Sequence, residues 1–245
     1  MDQDFLLFVL VGFIAEMIDG SLGMAYGVSS TSFLLSLGLP PSTASASVHA
    51  SEIVTTATSG FFHLRFGNVK KDLFLRLLIP GIIGGVTGAY LLTELSVGVI
   101  KPIVTVYLLL MGAVIVFKAF RPAKEEGRTP IIPLGLIGGF FDAIGGGGWG
   151  PIVTTTLVAR GTQPRYVVGS VNLAEFFVTV SESITFFLTI GLLHWNVILG
   201  LMLGGVIAAP IAAMLTKKIP VKPFMILVGV LIIVISLRNL FLFLK

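Results

Sequence analysis

The chain contains no cysteine. That absence excludes disulfides, thiolate nucleophiles and cysteine-ligated metal. Charge is nearly as scarce: Asp, Glu, Lys and Arg make up 11% of the residues, against roughly 25% in a soluble domain. Such a sequence cannot clothe a water-facing surface of ordinary size. The Gly-rich phosphate loop that ends in Gly-Lys-Ser/Thr is missing, which excludes ATP hydrolysis by that route. The three histidines, His49, His63 and His194, show no catalytic context, and no Ser-His-Asp arrangement stands out. A single histidine beside Glu52 is thin for a metal centre. No enzyme, cofactor or metal is therefore expected. The first 15 residues carry no basic start and no small-residue cleavage site follows, so no signal peptide is expected either.

What is present is apolar. Hydrophobic residues make up 55% of the chain and the mean hydropathy is +1.02. The net charge of +4 is spread over short loops rather than gathered on a face, which argues for membrane orientation and against nucleic acid. A membrane-spanning helix needs about 20 mostly apolar residues. Segments of that kind are predicted near 5–35, 43–64, 73–93, 97–118, 131–158, 166–190, 195–215 and 222–244. The longest polar stretch, from Arg121 to Arg128, lies near the middle. It divides the chain into a first repeat over 1–120, a cytoplasmic linker over 121–130 and a second repeat over 131–245.

The two halves resemble each other. A shift of 123 residues places Asp19 on Asp142, Gly23 on Gly146, Tyr26 on Trp149, Gly27 on Gly150, Gly38 on Gly161, Pro41 on Pro164 and Glu52 on Glu175. Internal duplication is a mark of secondary transporters, with repeats either parallel or inverted. Loop charge separates the two. If the first and fifth segments dip in and return, 13 of the 16 basic residues lie on the cytoplasmic side and only Lys101, Arg238 and Lys245 lie outside. A model of eight alternating crossings gives a weaker bias. The expected fold is therefore an all-α polytopic membrane protein of two inverted repeats. Each repeat holds a broken or re-entrant Gly-rich helical segment plus three transmembrane helices.

The breaks are written in the sequence. Asp19–Gly27 and Asp142–Pro151 interrupt their segments, the second with four consecutive glycines followed by Trp-Gly-Pro. Each Gly costs about 1 kcal/mol against Ala inside a helix and Pro about 3. Each restart, at Gly27–Thr31 and Gly150–Thr154, is expected to present free N–H groups and the positive end of a helix dipole beside small hydroxyls, a ready anion site. The candidate substrate-binding residues are Gly23, Tyr26, Gly27, Ser29 and Ser30 in the first copy, and Gly146, Gly147, Gly148, Trp149, Gly150 and Thr154 in the second. Asp19 and Asp142 are poor direct ligands for an anion and are assigned to capping the broken backbone or lining a gate. The alternative for the glycines is close helix packing, which suits the isolated pair Gly84-Gly85 better than a run of four.

The second and sixth segments carry polar stripes. Ser45, His49, Glu52, Thr56, Ser59 and His63 recur at alternating steps of four and three, and so do Asn172, Glu175, Thr179 and Glu182. Each set lies on one helical face. Ionisable groups at membrane depth mark a substrate or proton path, or else a buried hydrogen-bond network. Glu52 and Glu175 are the candidate proton-coupling residues. His49 and Asn172 are candidate donors to the substrate. Glu16 and Glu182 carry less weight as lone acids.

These motifs, Asp-x3-Gly-x2-aromatic-Gly, Gly-x2-Pro and Ser-Val-x3-Glu in each half, resemble those of the TauE/SafE sulfite exporter family. The resemblance covers essentially the whole chain. It implies a plasma-membrane (inner-membrane), multi-pass permease for small sulfur-containing anions such as sulfite, sulfonates or sulfoacetate. Its partners would be a small anionic substrate and the lipid bilayer, with no nucleic acid and room for a homo-oligomer. The alternatives are a passive anion channel and a membrane assembly factor without transport activity.

Overall fold

The structure is a computed structural model that describes residues 3–120, 129–191, 194–215 and 220–244. The linker residues 121–128, and with them Lys124, lie outside the described residues, as does Lys217. The described residues are helical, without a strand among them. In chain order the helices are α1 (Gln3–Leu22), α2 (Tyr26–Ser36), α3 (Pro41–Arg65), α4 (Lys71–Glu94), α5 (Val97–Ala119), α6 (Ile131–Gly145), α7 (Thr155–Ala159), α8 (Pro164–Thr189), α9 (Trp195–Leu215) and α10 (Val221–Leu244). A π-helical turn, Gly150–Thr154, leads straight into α7.

Six helices are long and apolar enough to cross a membrane: α1, α4, α5, α8, α9 and α10. The chain is thus a multi-pass membrane protein. α3 is as long as these, at 25 residues, but carries the Ser-, Thr- and His-rich stripe that lowers its hydropathy. It tolerates that stripe because the stripe faces protein: Ser45, His49, Glu52, Thr56, Ser59 and His63 are all buried. Polar side chains are buried among apolar ones in the core, and the outside is greasy, with Ile79, Ile83, Phe187, Leu227 and Val234 among its exposed residues. That distribution fits a lipid-facing surface.

The packing is reciprocal between the halves. α1 lies along α9 and α6 along α4; α3 meets α8 at the centre, α4 meets α8 as α3 meets α9, and α5 pairs with α10. For these six pairs, exchanging each helix for the one in the same place of the other half returns the same set. Close approach at the crossings depends on missing side chains. A Cβ on Gly84 would strike the Leu136 carbonyl, and one on Gly204 the Val9 carbonyl. Gly85 differs from the packing role expected of it, because its absent side chain makes room for the Glu182 carboxylate.

Both Gly-rich segments break. α1 ends at Leu22, Gly23 and Ala25 take φ of 68° and 91°, and α2 begins at Tyr26. α6 ends at Gly145, and Gly146 and Gly147 take φ of 62° and 147°. The second segment then doubles back on itself. Gly138 on α6 faces Trp149 and Val153 on the return, and the loop after α7, at Thr162 and Gln163, shares a cleft of about 310 Å³ with Val69 and Lys70. At the same end of the bundle Lys222 lies over the Phe120 ring at 4.6 Å.

Candidate functional site

The ionisable groups meet where the breaks cross the two polar helices. Asp142 sits one turn before the second break, and its Oδ1 accepts the backbone N–H groups of Gly148 (2.7 Å) and Trp149 (2.9 Å). Asp19 accepts the backbone N–H of Tyr26, the residue equivalent to Trp149. The amides that lead into each restart, those of Tyr26, Gly148 and Trp149, are therefore held by protein carboxylates. These aspartates satisfy donors that a helix start would otherwise leave orphaned in a low-dielectric core.

The two breaks also touch each other. A Cβ on Gly27 would collide with Gly146 and Gly147, one on Gly147 with Gly27 and Val28, and one on Gly150 with Met24. Thr31 Oγ1 donates to the Gly146 carbonyl at 2.7 Å, and the Tyr107 hydroxyl reaches the Gly147 carbonyl at 3.4 Å. Tyr26 and Trp149 are buried wedges. Trp149 Nε1 donates to the Val171 carbonyl (3.3 Å) and the Tyr26 hydroxyl to the Leu201 carbonyl (3.2 Å). Beside the breaks the hydroxyls of Ser29, Ser30 and Thr154 have no hydrogen-bond partner among the described residues. Gly23 faces Thr154.

His49, from the middle of α3, stands at the centre. Its Nδ1 lies 2.8 Å from the Ser45 carbonyl, and Ser45 Oγ donates onward to the Ala143 carbonyl at 2.6 Å, tying α3 to α6. Its Nε2 faces three carboxylates: Glu182 Oε2 at 2.8 Å, Asp142 Oδ2 at 3.6 Å and Glu52 Oε2 at 3.9 Å. The counterpart position in the other half holds Asn172. Its Nδ2 donates one turn back to the Val168 carbonyl, and its Oδ1 accepts from Ser59 Oγ at 2.6 Å. Ser59 is the repeat equivalent of Glu182. Positions that match at the 123-residue shift thus hold an ionisable cluster in one half and a neutral hydrogen bond in the other.

The expected candidates largely gather in this region. Glu52, Asp142 and His49 come together, Asn172 meets Ser59, and Glu175 is buried on α8 with its Oε2 unpartnered. His63 stands apart in role. Asn68 Nδ2 donates to its Nδ1 (3.1 Å), so its Nε2 carries the hydrogen and donates to the Gly20 carbonyl (2.9 Å). Glu182, given little weight as a lone acid, is the nearest partner of His49. Its place in the step pattern of α8 was the available signal. Thr31 stood out only as the end of the Gly27–Thr31 restart, and Tyr107 had no such signal.

The Sulfite exporter TauE/SafE family model matches residues 8–239. The chain belongs to the TauE/SafE sulfite exporter family. A relative in Bacillus subtilis (strain 168), the "Probable membrane transporter protein YtnM", is 46% identical over 246 residues, covering 96% of this chain and 82% of the relative. No solved structure matches the chain. Membership makes this a membrane transporter with a small-molecule substrate. It places the paired breaks and the His49 cluster inside a transport protein.

Proposed function

We propose that the chain is a secondary transporter that exports small sulfur-containing anions, such as sulfite, sulfonates or sulfoacetate, across the plasma membrane. The observation that carries this reading is the meeting of two broken helices at the centre of a TauE/SafE fold, ringed by unpartnered hydroxyls and buried ionisable groups. Substrate would bind where Ser29, Ser30 and Thr154 line the contact between Gly23–Gly27 and Gly146–Gly150, with His49 and Asn172 on the flanking stripes. The amides at the restarts become available to an anion only when Asp142 and Asp19 release them. Binding would then be linked to a change at the breaks. A passive anion channel has no use for six buried carboxylates, and the backbone contact between the breaks leaves no open path there.

The repeats are inverted in this reading. The second Gly-rich segment starts and ends at the Lys70 end of the bundle. The first starts beside the N-terminal part of α9, where Gly200 packs on Phe8, and returns to the C-terminal part of α10, where Asn239 donates to the Ser32 carbonyl. Each segment is then a hairpin, opening to opposite faces, and α3 replaces α1 among the six crossings. Single cysteines placed at 70 and 160 are expected to react with a membrane-impermeant maleimide from the same side, and one at 101 from the other. Opposite labelling of 70 and 160 would show that the second Gly-rich segment crosses.

Proton coupling, expected at Glu52 and Glu175, is assigned here to Glu175, because Glu52 faces His49. Glu175→Gln should keep substrate binding within a few-fold and remove the response of flux to an imposed pH gradient. A variant whose flux still follows the gradient would leave Glu175 as a structural hydrogen-bonding group.

A further inference from the structure

Acids line this core. Glu16, Asp19, Glu52, Asp142, Glu175 and Glu182 are all buried, and no described lysine or arginine is buried with them. Three of the inward groups converge from three helices: His49 Nε2 from α3, Asp142 Oδ2 from α6 and a Glu182 oxygen from α8, all within 4.8 Å of one another. We infer that these side chains form a site for one divalent cation of borderline character, the class of Zn²⁺ and Mn²⁺.

Four observations support the site. First, the groups converge without satisfying one another. His49 Nε2 and Glu182 Oε2 approach to 2.8 Å, yet neither atom makes a well-directed hydrogen bond among the described residues. The contact lies off the direction of a ring N–H. Ligands held about 2.0–2.2 Å from a zinc ion sit about 3–3.5 Å apart, and the 2.8 and 3.6 Å separations around Nε2 bracket that range. Second, each ligand is fixed from behind, as metal ligands are. The Ser45 carbonyl holds Nδ1 and two backbone amides hold Asp142 Oδ1. Gly85 leaves the space that Glu182 fills. Third, Glu52 Oε2 is buried, unpartnered and 3.9 Å from Nε2, aimed into the same point. Fourth, the other half supplies an internal comparison. Asn172, Asp19 and Ser59 occupy the equivalent positions, and there the Ser59–Asn172 hydrogen bond closes the gap directly.

Electrostatics select the occupant. A neutral imidazole with two carboxylates leaves two negative charges in a low-dielectric core, which a divalent cation cancels. An imidazole in the set favours zinc-like ions over magnesium or calcium, while the carboxylates admit manganese. The inference rests on the transporter reading only in its consequence: a bound cation gives an oxyanion a positive ligand in a core otherwise built of acids.

The test uses the full chain in lipid nanodiscs with its affinity tag removed, equilibrated with Zn²⁺ or Mn²⁺ alone, with no substrate. The absence of cysteine removes competing thiolates. The site predicts one ion per chain by elemental analysis, and a shift of one imidazole in ¹⁵N-histidine spectra on zinc addition. His49→Asn and Glu182→Ser install the residues of the other half, and each should weaken binding by about 100-fold while the thermal midpoint of the metal-free protein moves little. Should either fail to fold, Glu182→Gln, which keeps the side-chain volume, serves in its place. Less than one ion per chain, binding that the substitutions leave unchanged, or a His49 resonance that responds to pH and not to zinc would overturn the site and mark the cluster as a proton-only centre. Because binding is read without substrate, transport lacking a metal would refute this inference and spare the transporter reading. Metal binding in a chain that transports nothing would do the reverse.

Discussion

Gly147→Ala is expected to cost about 4 kcal/mol of stability. Two effects add. Gly147 has φ of 147°, a region almost closed to other residues, which carries about 1–3 kcal/mol of strain. An added Cβ would also run into the backbone of Gly27 and Val28, where the neighbouring break cannot yield without moving α2, and overpacking of that kind costs about 1–3 kcal/mol. Gly38→Ala is the control. It shares a left-handed φ, 91°, but a Cβ there meets nothing within 4 Å, so its cost should stay near 1 kcal/mol. Denaturant or thermal unfolding in detergent compares the two. Equal losses would mean that the contact between the breaks carries no stability. The sequence alone suggests that a valine at 147 or 148 weakens binding with the fold retained. The contact on the far side of the glycine makes stability the first casualty.

Asp142→Ala should cost about 2–6 kcal/mol, because it strands the amides of Gly148 and Trp149 in a buried site at about 1–3 kcal/mol each. Asp142→Asn keeps an oxygen in the Oδ1 position and removes the charge. It should fold near wild-type stability while losing transport. The pair separates the two jobs of one carboxylate: one oxygen caps the backbone and the other faces His49. If Ala and Asn unfold alike, the capping role is wrong. If Asn transports normally, the charge facing His49 has no part in function.

How far the sequence led depends on how local each signal is. The helices were legible because their apolar runs are long, and the breaks because Gly146–Gly150 cannot remain helical. Capping by Asp142 was one of two roles legible in the sequence, since the residue opens the break motif and lies six and seven residues before the Gly148 and Trp149 amides it accepts. Long-range partners were not. His49 showed only Glu52 on its own helix, and its closest acid, Glu182, comes from a helix more than a hundred residues away. The restarts at Gly27 and Gly150 read as anion sites, but a sequence cannot show that carboxylates hold the amides just ahead of them, at Tyr26, Gly148 and Trp149, or that each break is the other's wall. Gly85 read as a packing glycine like Gly84. One residue further along the helix, however, it faces the centre rather than α6. In each case the periodicity indicated the face of the helix, and only the fold could supply what that face meets.

The central claim is transport of a small sulfur-containing anion by a mechanism that moves a bound substrate. Its most direct test is efflux of ³⁵S-sulfite, with a sulfonate and sulfoacetate in parallel, from proteoliposomes that contain the purified chain. The account predicts flux that saturates with substrate concentration, falls in Asp142→Asn and loses its response to a pH gradient in Glu175→Gln. Flux equal to that of protein-free vesicles for every sulfur anion, or a conductance that rises linearly with concentration and ignores both substitutions, would contradict it.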